Sequence, residues 1–311
     1  MADEDLQVAG TERQRFRISR AQWALAGLIL ALAAGGLMYR LLVQHSLEQT
    51  AALFIGLPTV LAVVLALTPK AKSATGMAMK GVTLALLMCG PILAEGFICV
   101  LMTAPLFYAI AAVIGVLIDY GRRKRKSAGL YSLVLVPLLL SSLEGTTPEL
   151  TFRTREVVTV RKVVAGSPAD IERALAATPR FGAPLPPFLR LKFPLPAESR
   201  GEGLMPGAER VIHFAGGEGK PGDLTLRVTG HEQNRVTFAA ASDTSHIAHW
   251  LTWRTADVAW RSAAAGTTEV TWTLVYDREL DPAWYFGPWE RYATRQAAEY
   301  LIDTVATPAV R

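Results

Sequence analysis

The chain has 311 residues, 51% of them hydrophobic, and a formal net charge of +5. Its two cysteines both lie in apolar sequence, so they offer the rest of the chain no disulfide framework and no cysteine zinc site. From residue 145 onward, 19 Lys and Arg residues balance 19 Asp and Glu residues. The positive excess therefore belongs to the first half, and we expect no nucleic-acid partner.

The two halves of the chain differ in composition. Nearly all long apolar runs precede Leu143, whereas six of the seven tryptophans lie between Trp250 and Trp289. We therefore predict a cytoplasmic basic N-terminus over residues 1–20, a transmembrane region of about five helices over 21–144, and a folded domain over 145–311.

The first apolar runs, 23–43 and 50–68, approach the roughly 20 residues that about 30 Å of hydrocarbon requires. The Arg-rich lead also fits a signal peptide, but the length of the first run and the later runs favour a membrane helix. Residues 81–120 are predicted to form either two short spans joined by a tight turn near 102–105, or one span and a re-entrant piece.

Cations between the spans predict the orientation. Segment 69–80 carries three lysines and segment 121–127 carries five cations, so both are expected on the cytoplasmic side with an even number of crossings between them. The last run, 130–143, is short and contains Pro137. If it crosses, the chain is a five-span protein of a bacterial inner membrane, with a cytoplasmic N-terminus and a periplasmic or extracellular C-terminal domain.

Four ionisable residues lie in or beside these runs. Arg40, Asp119 and Glu144 are within about a turn of predicted ends, where snorkelling or a neighbouring cation suffices. Glu95 follows Pro91 in a stretch where the helix is predicted to kink or break. It either lines a polar cavity or partner site in the membrane, or is solvated near the outer interface.

Beyond the membrane region the hydrophobic period changes. Residues 155–166 read as a strand, and Ser167 with Pro168 then opens a helix that ends near residue 178. The proline-rich segment 181–196 is predicted to be irregular, since proline suits neither a central strand nor a long helix.

Five antiparallel strands are predicted next, separated by turn residues. They are expected over residues 209–216, 223–230, 234–242, 249–262 and 268–280. In the last strand, Val270, Trp272, Leu274 and Tyr276 share the face that meets a core or cavity.

A long C-terminal helix is predicted to close the chain. Asp281 is expected to cap it, with Pro282 in its first turn, and Gly287 with Pro288 is expected to kink or interrupt it.

This order of elements resembles the START-like superfamily, also called SRPBCC or polyketide cyclase/dehydrase-like. The resemblance covers roughly residues 155–308 and rests on the segments 160–175, 270–280 and 280–292. It implies an α+β helix-grip fold, in which a curved antiparallel sheet wraps around a long terminal helix and encloses a hydrophobic cavity. The usual soluble members have no counterpart to the membrane half.

Aromatic and apolar residues of the domain are the candidates for contact with a ligand. The tryptophans either line a pocket or dip into the lipid interface, with plain core as the alternative, and the apolar loop residues either gate the pocket or form a satellite cluster. The ligand-binding candidates are Phe188, Leu189, Trp253, Trp260, Trp272, Tyr276, Trp284 and Trp289.

Catalysis would require an acid or base inside the cavity, and no nucleophile triad or phosphate loop is evident in the sequence. The weak candidates are His249, Arg254, Asp257 and Tyr276. The favoured alternative for Arg254 and Asp257 is an ion pair with each other. His246 and His249 are spaced as helical metal ligands, but a strand is predicted there, so we expect no metal and no cofactor.

Together these features predict an integral membrane protein whose extracytoplasmic START-like domain binds a lipid or another hydrophobic small molecule. Two alternatives remain open at this stage. One is a cyclase- or dehydratase-like enzyme acting on a polyketide or isoprenoid substrate. The other is a structural or regulatory membrane subunit that docks a membrane-protein partner through the segment around Glu95.

Overall fold

The computed structural model describes residues 18–43, 55–93, 97–123, 144, 154–217 and 219–307. The chain divides into two compact units, Met1–Tyr131 and Ser132–Arg311. Each unit has its own hydrophobic core, and each is described by itself below.

The described part of the first unit is helical. Its helices are α1 (Arg20–Val43), α2 (Leu57–Leu67), α3 (Ala74–Leu93) and α4 (Phe97–Arg123). Within them, Arg20–Met38 and Ile98–Arg122 are long and apolar enough to cross a membrane, whereas Leu57–Leu67 and Ala74–Cys89 are apolar but shorter. The five-span arrangement stays a prediction. Glu95, the last apolar run 130–143 and the side chain of Arg40 lie outside what the structure describes.

The predicted turn near 102–105 is wrong. α4 runs without interruption from Phe97 to Arg123 with Pro105 inside it, and the preceding helix already ends at Leu93. A proline removes one backbone hydrogen bond, and an apolar helix packed against neighbours tolerates that loss. The long apolar stretch therefore holds two helices, α3 and α4, that pack against each other.

Asp119 joins the end of α4 to the start of α3. Its carboxylate accepts hydrogen bonds from the backbone N–H groups of Ala74 and Thr75, at 2.7 and 3.0 Å, and from the Thr75 hydroxyl at 2.8 Å. The N–H groups of a first helical turn lack partners inside the helix, and a carboxylate there also meets the positive end of the helix dipole. Asp119 is thus stabilised as a cap of α3.

The second unit is an α+β domain. Its strands are β1 (Arg155–Ala165), β2 (Leu195–Arg200), β3 (Glu209–Ala215), β4 (Gly222–Glu232), β5 (Arg235–Asp243), β6 (Leu251–Ala264) and β7 (Thr267–Arg278). Its helices are α5 (Pro168–Ala176) and α6 (Ala283–Leu301), with a short 3-10 helix over His246–His249 and a π-helical turn over Ile302–Ala306.

The seven strands form one curved antiparallel sheet in the order β1-β7-β6-β5-β4-β3-β2. The predicted first strand and the five predicted hairpin strands are confirmed. β2 was not predicted: it lies at the sheet edge, where Pro196 is tolerated because an edge strand leaves half of its backbone groups unpaired. The alternation predicted for β7 is also confirmed, since buried and half-buried residues alternate along its whole length.

α5 begins as predicted. The Ser167 hydroxyl accepts a hydrogen bond from the Asp170 N–H, and the Asp170 carboxylate accepts one from the Ser167 N–H at 3.0 Å. This reciprocal pair satisfies two N–H groups of the first turn. The apolar face of the helix buries Ile171 and Leu175 completely.

The start of α6 differs from the prediction. Asp281 does not cap the helix: its carboxylate pairs with Arg278 at 3.2 Å. The carboxylate of Glu144, far away in sequence, accepts the hydrogen bond from the Ala283 N–H at 3.0 Å instead. α6 then continues through Pro288 without interruption, because a proline near the start of a helix removes few internal hydrogen bonds.

The core of the domain lies between the inner face of the sheet and the helices α5 and α6. The fully buried side chains of this core come from the alternate, inward positions of the strands and from one face of each helix. They include Ile171, Leu175, Val228, Val236, Val258, Val270 and Ile302.

Candidate functional site

A cavity of about 190 Å³ lies inside the domain, between the sheet and α6. Its wall is almost entirely apolar. The strands β3, β4, β5 and β7 contribute alternate residues of one face, as the period of an extended chain requires, and α6 contributes residues about one turn apart. Among the lining residues are Ile212, Phe214, Leu224, Leu226, Phe238, Ala256, Trp272, Leu274, Ala293, Ala297 and Leu301.

The proline-rich segment before β2 forms another part of the wall. Phe181, Leu185, Leu189 and Phe193 line the cavity from this segment. Leu189 is 9% exposed, whereas Leu191, two residues on, is 40% exposed. Prolines hold this segment out of regular structure and let its apolar side chains cover the space between sheet and helix.

Aromatic contacts connect this segment to the rest of the domain. The Phe188 ring stacks on Trp289 of α6, with centroids 6.2 Å apart, and meets the edge of Tyr292 at 5.1 Å. Phe193 meets the edge of Trp250 at 5.3 Å. We call these five residues the aromatic clasp. Aromatic pairs at such separations are favourable beyond the area that they bury.

Arg210 of β3 is the charged residue most deeply placed in the cavity wall. It is 3% exposed, and it shares its strand face with Ile212 and Phe214. Its Nη2 group donates hydrogen bonds to the carbonyl oxygens of Leu175, at the end of α5, and of Gly203, the latter at 3.1 Å. Burial lowers the pKa of Arg210 to about 10, so the side chain remains charged at neutral pH.

A second polar group lies where β7 meets α6. Tyr276 and Arg278 of β7 and Glu290 and Thr294 of α6 are all at most 4% exposed, and Thr294 also lines the cavity. Burial raises the pKa of Tyr276 to about 12 and that of Glu290 to about 7, a rise that the charge of Arg278 opposes in part.

The catalytic candidates do not come together. Of the four, Arg254 lies at the cavity, whereas His249, Asp257 and Tyr276 are not among the lining residues. The expected ion pair between Arg254 and Asp257 is wrong, because Arg254 pairs with Asp277 at 2.7 Å and Asp257 pairs with Arg235 at 2.9 Å. In each of these pairs the two residues lie on adjacent antiparallel strands. Residues paired across such strands lie closer together than two residues three positions apart on one strand, as Arg254 and Asp257 are.

His246 and His249 occupy the 3-10 helix and not the predicted strand, which begins at Leu251. Their ring centroids are therefore 4.9 Å apart. In the part of the chain that the structure describes, no group of three or more metal-ligating side chains surrounds them.

The ligand-binding candidates occupy four kinds of environment. Leu189, Trp253 and Trp272 line the cavity, and Phe188 and Trp289 lie in the aromatic clasp. Trp260 and Tyr276 are buried in the core clusters, and Trp284 is 60% exposed.

Arg210 was missed because a charged residue in a short strand is usually assigned to the solvent face. A signal was present, however. In the segment ERVIHFAG, strict alternation puts Arg210 on the same face as Ile212 and Phe214, the apolar face of the strand.

The curved seven-stranded sheet, the long C-terminal helix that packs on it and the apolar cavity between them are the features expected of a helix-grip fold. The C-terminal domain therefore has the helix-grip architecture that the resemblance to the START-like superfamily implies. Neither a protein-family model nor a curated protein matches the chain.

Among solved structures, the START-like domain is similar to several proteins of about its own size. A START superfamily protein from Mycobacterium smegmatis is 12% identical, with a TM-score of 0.34 over 47% of this chain and 92% of that one. Norcoclaurine synthase from Thalictrum flavum, in complex with dopamine and hydroxybenzaldehyde, is 12% identical, with a TM-score of 0.30 over 49% and 88%. Similarity at this level assigns no activity or ligand to this chain.

Proposed function

We propose that the START-like domain binds a small hydrophobic molecule in the cavity between its sheet and α6, without covalent chemistry. The observation that carries this proposal is the cavity itself, about 190 Å³ in volume and lined almost entirely by apolar side chains. Removing apolar ligand surface from water contributes about 25 cal/mol per Å², which is the driving force for occupancy.

The size of the cavity supports a compact ligand or part of a larger one. An engineered apolar cavity of about 150 Å³ binds benzene. A cavity of about 190 Å³ therefore suits an apolar group of roughly six to eight carbon atoms. The aromatic clasp is the part of the domain that we expect to open for entry, because it belongs partly to an irregular segment and not to the sheet.

We further propose that the apolar helices of the first unit hold the chain in a bacterial inner membrane. The two long apolar helices support this, and the cationic segments 69–80 and 121–127 favour cytoplasmic loops. On the five-span arrangement the START-like domain is extracytoplasmic, so that membrane attachment keeps it concentrated near lipids. A reporter fused after Arg311 that is active only in the cytoplasm would contradict this orientation.

The binding proposal is tested with the full chain in lipid nanodiscs. Labelled 1-octanol is equilibrated by dialysis against loaded nanodiscs, with empty nanodiscs of the same lipid as the blank. We expect saturable binding of one octanol per chain.

Two matched substitutions locate the site. Ala297→Phe places a ring in the cavity and is expected to weaken binding at least tenfold, whereas Ala263→Phe makes the same change at an exposed alanine of β6 and leaves binding unchanged. Non-saturable uptake, or equal binding by both variants, would refute the proposal.

A further inference from the structure

Arg210 is a buried cation whose charge no carboxylate balances among the described residues. It makes no ion pair in that part of the chain, and burial is the cause of its lowered pKa, with no acidic neighbour contributing. Its Nη2 group reaches two carbonyl oxygens, but its Nε atom is buried without a hydrogen-bond partner. A charge taken out of water is costly unless it is paired and hydrogen-bonded.

Arg210 belongs to the wall of the cavity that we propose as the binding site. Among the residues that the structure describes, no Asp or Glu lines the cavity. The guanidinium carbon of Arg210 lies 5.0 Å from the centre of the ring of Phe238, another lining residue. The other cationic lining residue, Arg254, is already paired with Asp277. The cavity thus combines an apolar wall with one deeply buried cation.

The end of α5 explains only part of this arrangement. The Leu175 carbonyl belongs to the last turn of the helix, where partial negative charge attracts a cation. That contact orients the guanidinium group. The helix end supplies a partial negative charge of about half an elementary charge at most. The Nε atom of Arg210 remains without a hydrogen-bond partner.

We propose that the ligand of this cavity is an amphiphile with one carboxylate, which pairs with the Arg210 guanidinium while its apolar part fills the remaining space. This inference rests on the proposed function and names its ligand class. One negative charge balances one positive charge, whereas a phosphate dianion would leave a surplus charge in an apolar site. The Nε–H group of Arg210, which has no hydrogen-bond partner, can donate a charge-assisted hydrogen bond to one carboxylate oxygen.

The test compares two probes that differ only in their head group. Octanoate and 1-octanol are dialysed at pH 7.5 against the full chain in nanodiscs, with empty nanodiscs of the same lipid as the blank. A charge-assisted hydrogen bond in a buried site predicts that octanoate binds at least about tenfold more tightly than octanol. In Arg210→Met, the ratio of octanoate affinity to octanol affinity should fall to about one.

Two further variants keep the result interpretable. Arg190→Met removes a cation from an exposed position outside the cavity and should preserve the preference for octanoate. Arg210→Lys keeps the positive charge but lacks the planar guanidinium group, and it should retain part of the preference for octanoate. If Arg210→Met does not fold, the comparison of octanoate with octanol in the wild type still tests the carboxylate proposal.

The outcomes separate the two proposals. Equal binding of octanoate and octanol by the wild type, or a preference that survives Arg210→Met, would overturn the carboxylate inference and leave hydrophobic binding intact. If the wild type binds neither probe, the proposed function itself fails.

Discussion

The ring of Phe188 lies almost parallel to that of Trp289, with 12° between their planes and 6.2 Å between their centroids. Phe188 belongs to the irregular segment before β2, and Trp289 belongs to α6. This pair therefore ties a segment without regular backbone hydrogen bonding to the helix that covers the cavity. Stacking of this kind is a modest interaction, which suits a contact that opens and closes.

The clasp segment provides the first prediction. Leu189→Ser removes an apolar contact from the cavity wall, and we expect it to weaken octanol binding about tenfold, because a buried leucine side chain contributes a free energy of about 1.5–3 kcal/mol. Leu191→Ser is the matched control, since Leu191 is exposed and outside the cavity. Equal losses in equilibrium dialysis would show that the segment acts through folding and not through the cavity.

The substitution Phe188→Ser in the aromatic clasp is expected to change the rate of ligand release. Phe188 does not line the cavity but contacts Trp289 and Tyr292, so its loss should speed octanol release more than it weakens equilibrium binding. Stopped-flow dissociation from loaded nanodiscs measures this. A release rate equal to that of the wild type would exclude the clasp as the entry route.

Two glycines with nearly equal φ angles allow backbone strain to be distinguished from steric contact. Gly201 and Gly207 have φ of +93° and +92°, a region that favours glycine. A Cβ atom at Gly201 would lie 2.1 Å from the Glu209 carbonyl oxygen, whereas none of the described atoms lies within 4 Å of one at Gly207. Gly201 therefore allows the chain to pass closely beside β3, next to Arg210.

We expect Gly207→Ala to lower the stability of the domain by about 1 kcal/mol and Gly201→Ala to lower it by clearly more. Tryptophan fluorescence during denaturant unfolding measures this in the full chain, because six of the seven tryptophans belong to the domain. Equal losses in the two variants would mean that β2 and β3 separate easily enough to accept the methyl group.

Local patterns in the sequence were sufficient for much of the fold. The alternation in β7 and the Ser167 cap depend on residues within a few positions of one another, so the sequence displays them directly. The Glu144 cap of α6 and the pairing of Arg254 with Asp277 depend on residues far apart or on strand register. No local pattern encodes those contacts.

The candidate site was predictable in part for the same reason. Aromatic richness pointed to Trp253 and Trp272, both in the cavity wall. Arg210 was overlooked because composition assigns arginine to solvent. Its strand partner Leu226, and Ala240 opposite Leu226 on the next strand, both line the cavity. Only the curvature of the sheet and the end of α5 turn that strand position into a buried one.

The first unit provides a further matched pair of glycines. A Cβ atom at Gly115 of α4 would lie 2.4 Å from the Thr75 Cα atom, whereas one at Gly81 of α3 would meet none of the described atoms within 4 Å. Small residues let helix backbones approach closely in membranes. We expect Gly115→Ala to lower the unfolding temperature of this unit and Gly81→Ala to leave it nearly unchanged.

A thiol-reactive fluorescent maleimide measures this in detergent, because the two cysteines of the sequence, Cys89 and Cys99, belong to the first unit. Its signal rises as they become accessible on heating. Identical transitions for the Gly115 and Gly81 variants would contradict the close packing of α3 on α4.

Glu290 gives the domain a pH-dependent stability. Burial raises its pKa from 4.5 to about 7, so between these values the folded domain binds more protons than the unfolded chain. The free energy of unfolding therefore falls as the pH rises through this window, and the loss is complete above the folded-state pKa. Below about pH 4.5 the residue is protonated in both states and makes no difference.

Glu290→Gln removes the charge at every pH and keeps the shape of the side chain. We expect the variant to match the wild type near pH 4.5 and to become more stable than it above pH 8, by roughly 3 kcal/mol at most. Glu299→Gln, on the same helix but only half-buried, is the control and should show no such divergence. Denaturant unfolding followed by tryptophan fluorescence at both pH values measures the effect. A Glu290→Gln domain less stable than the wild type at pH 8 would mean that the ionised carboxylate stabilises the fold through Arg278, whose side chain is equally buried.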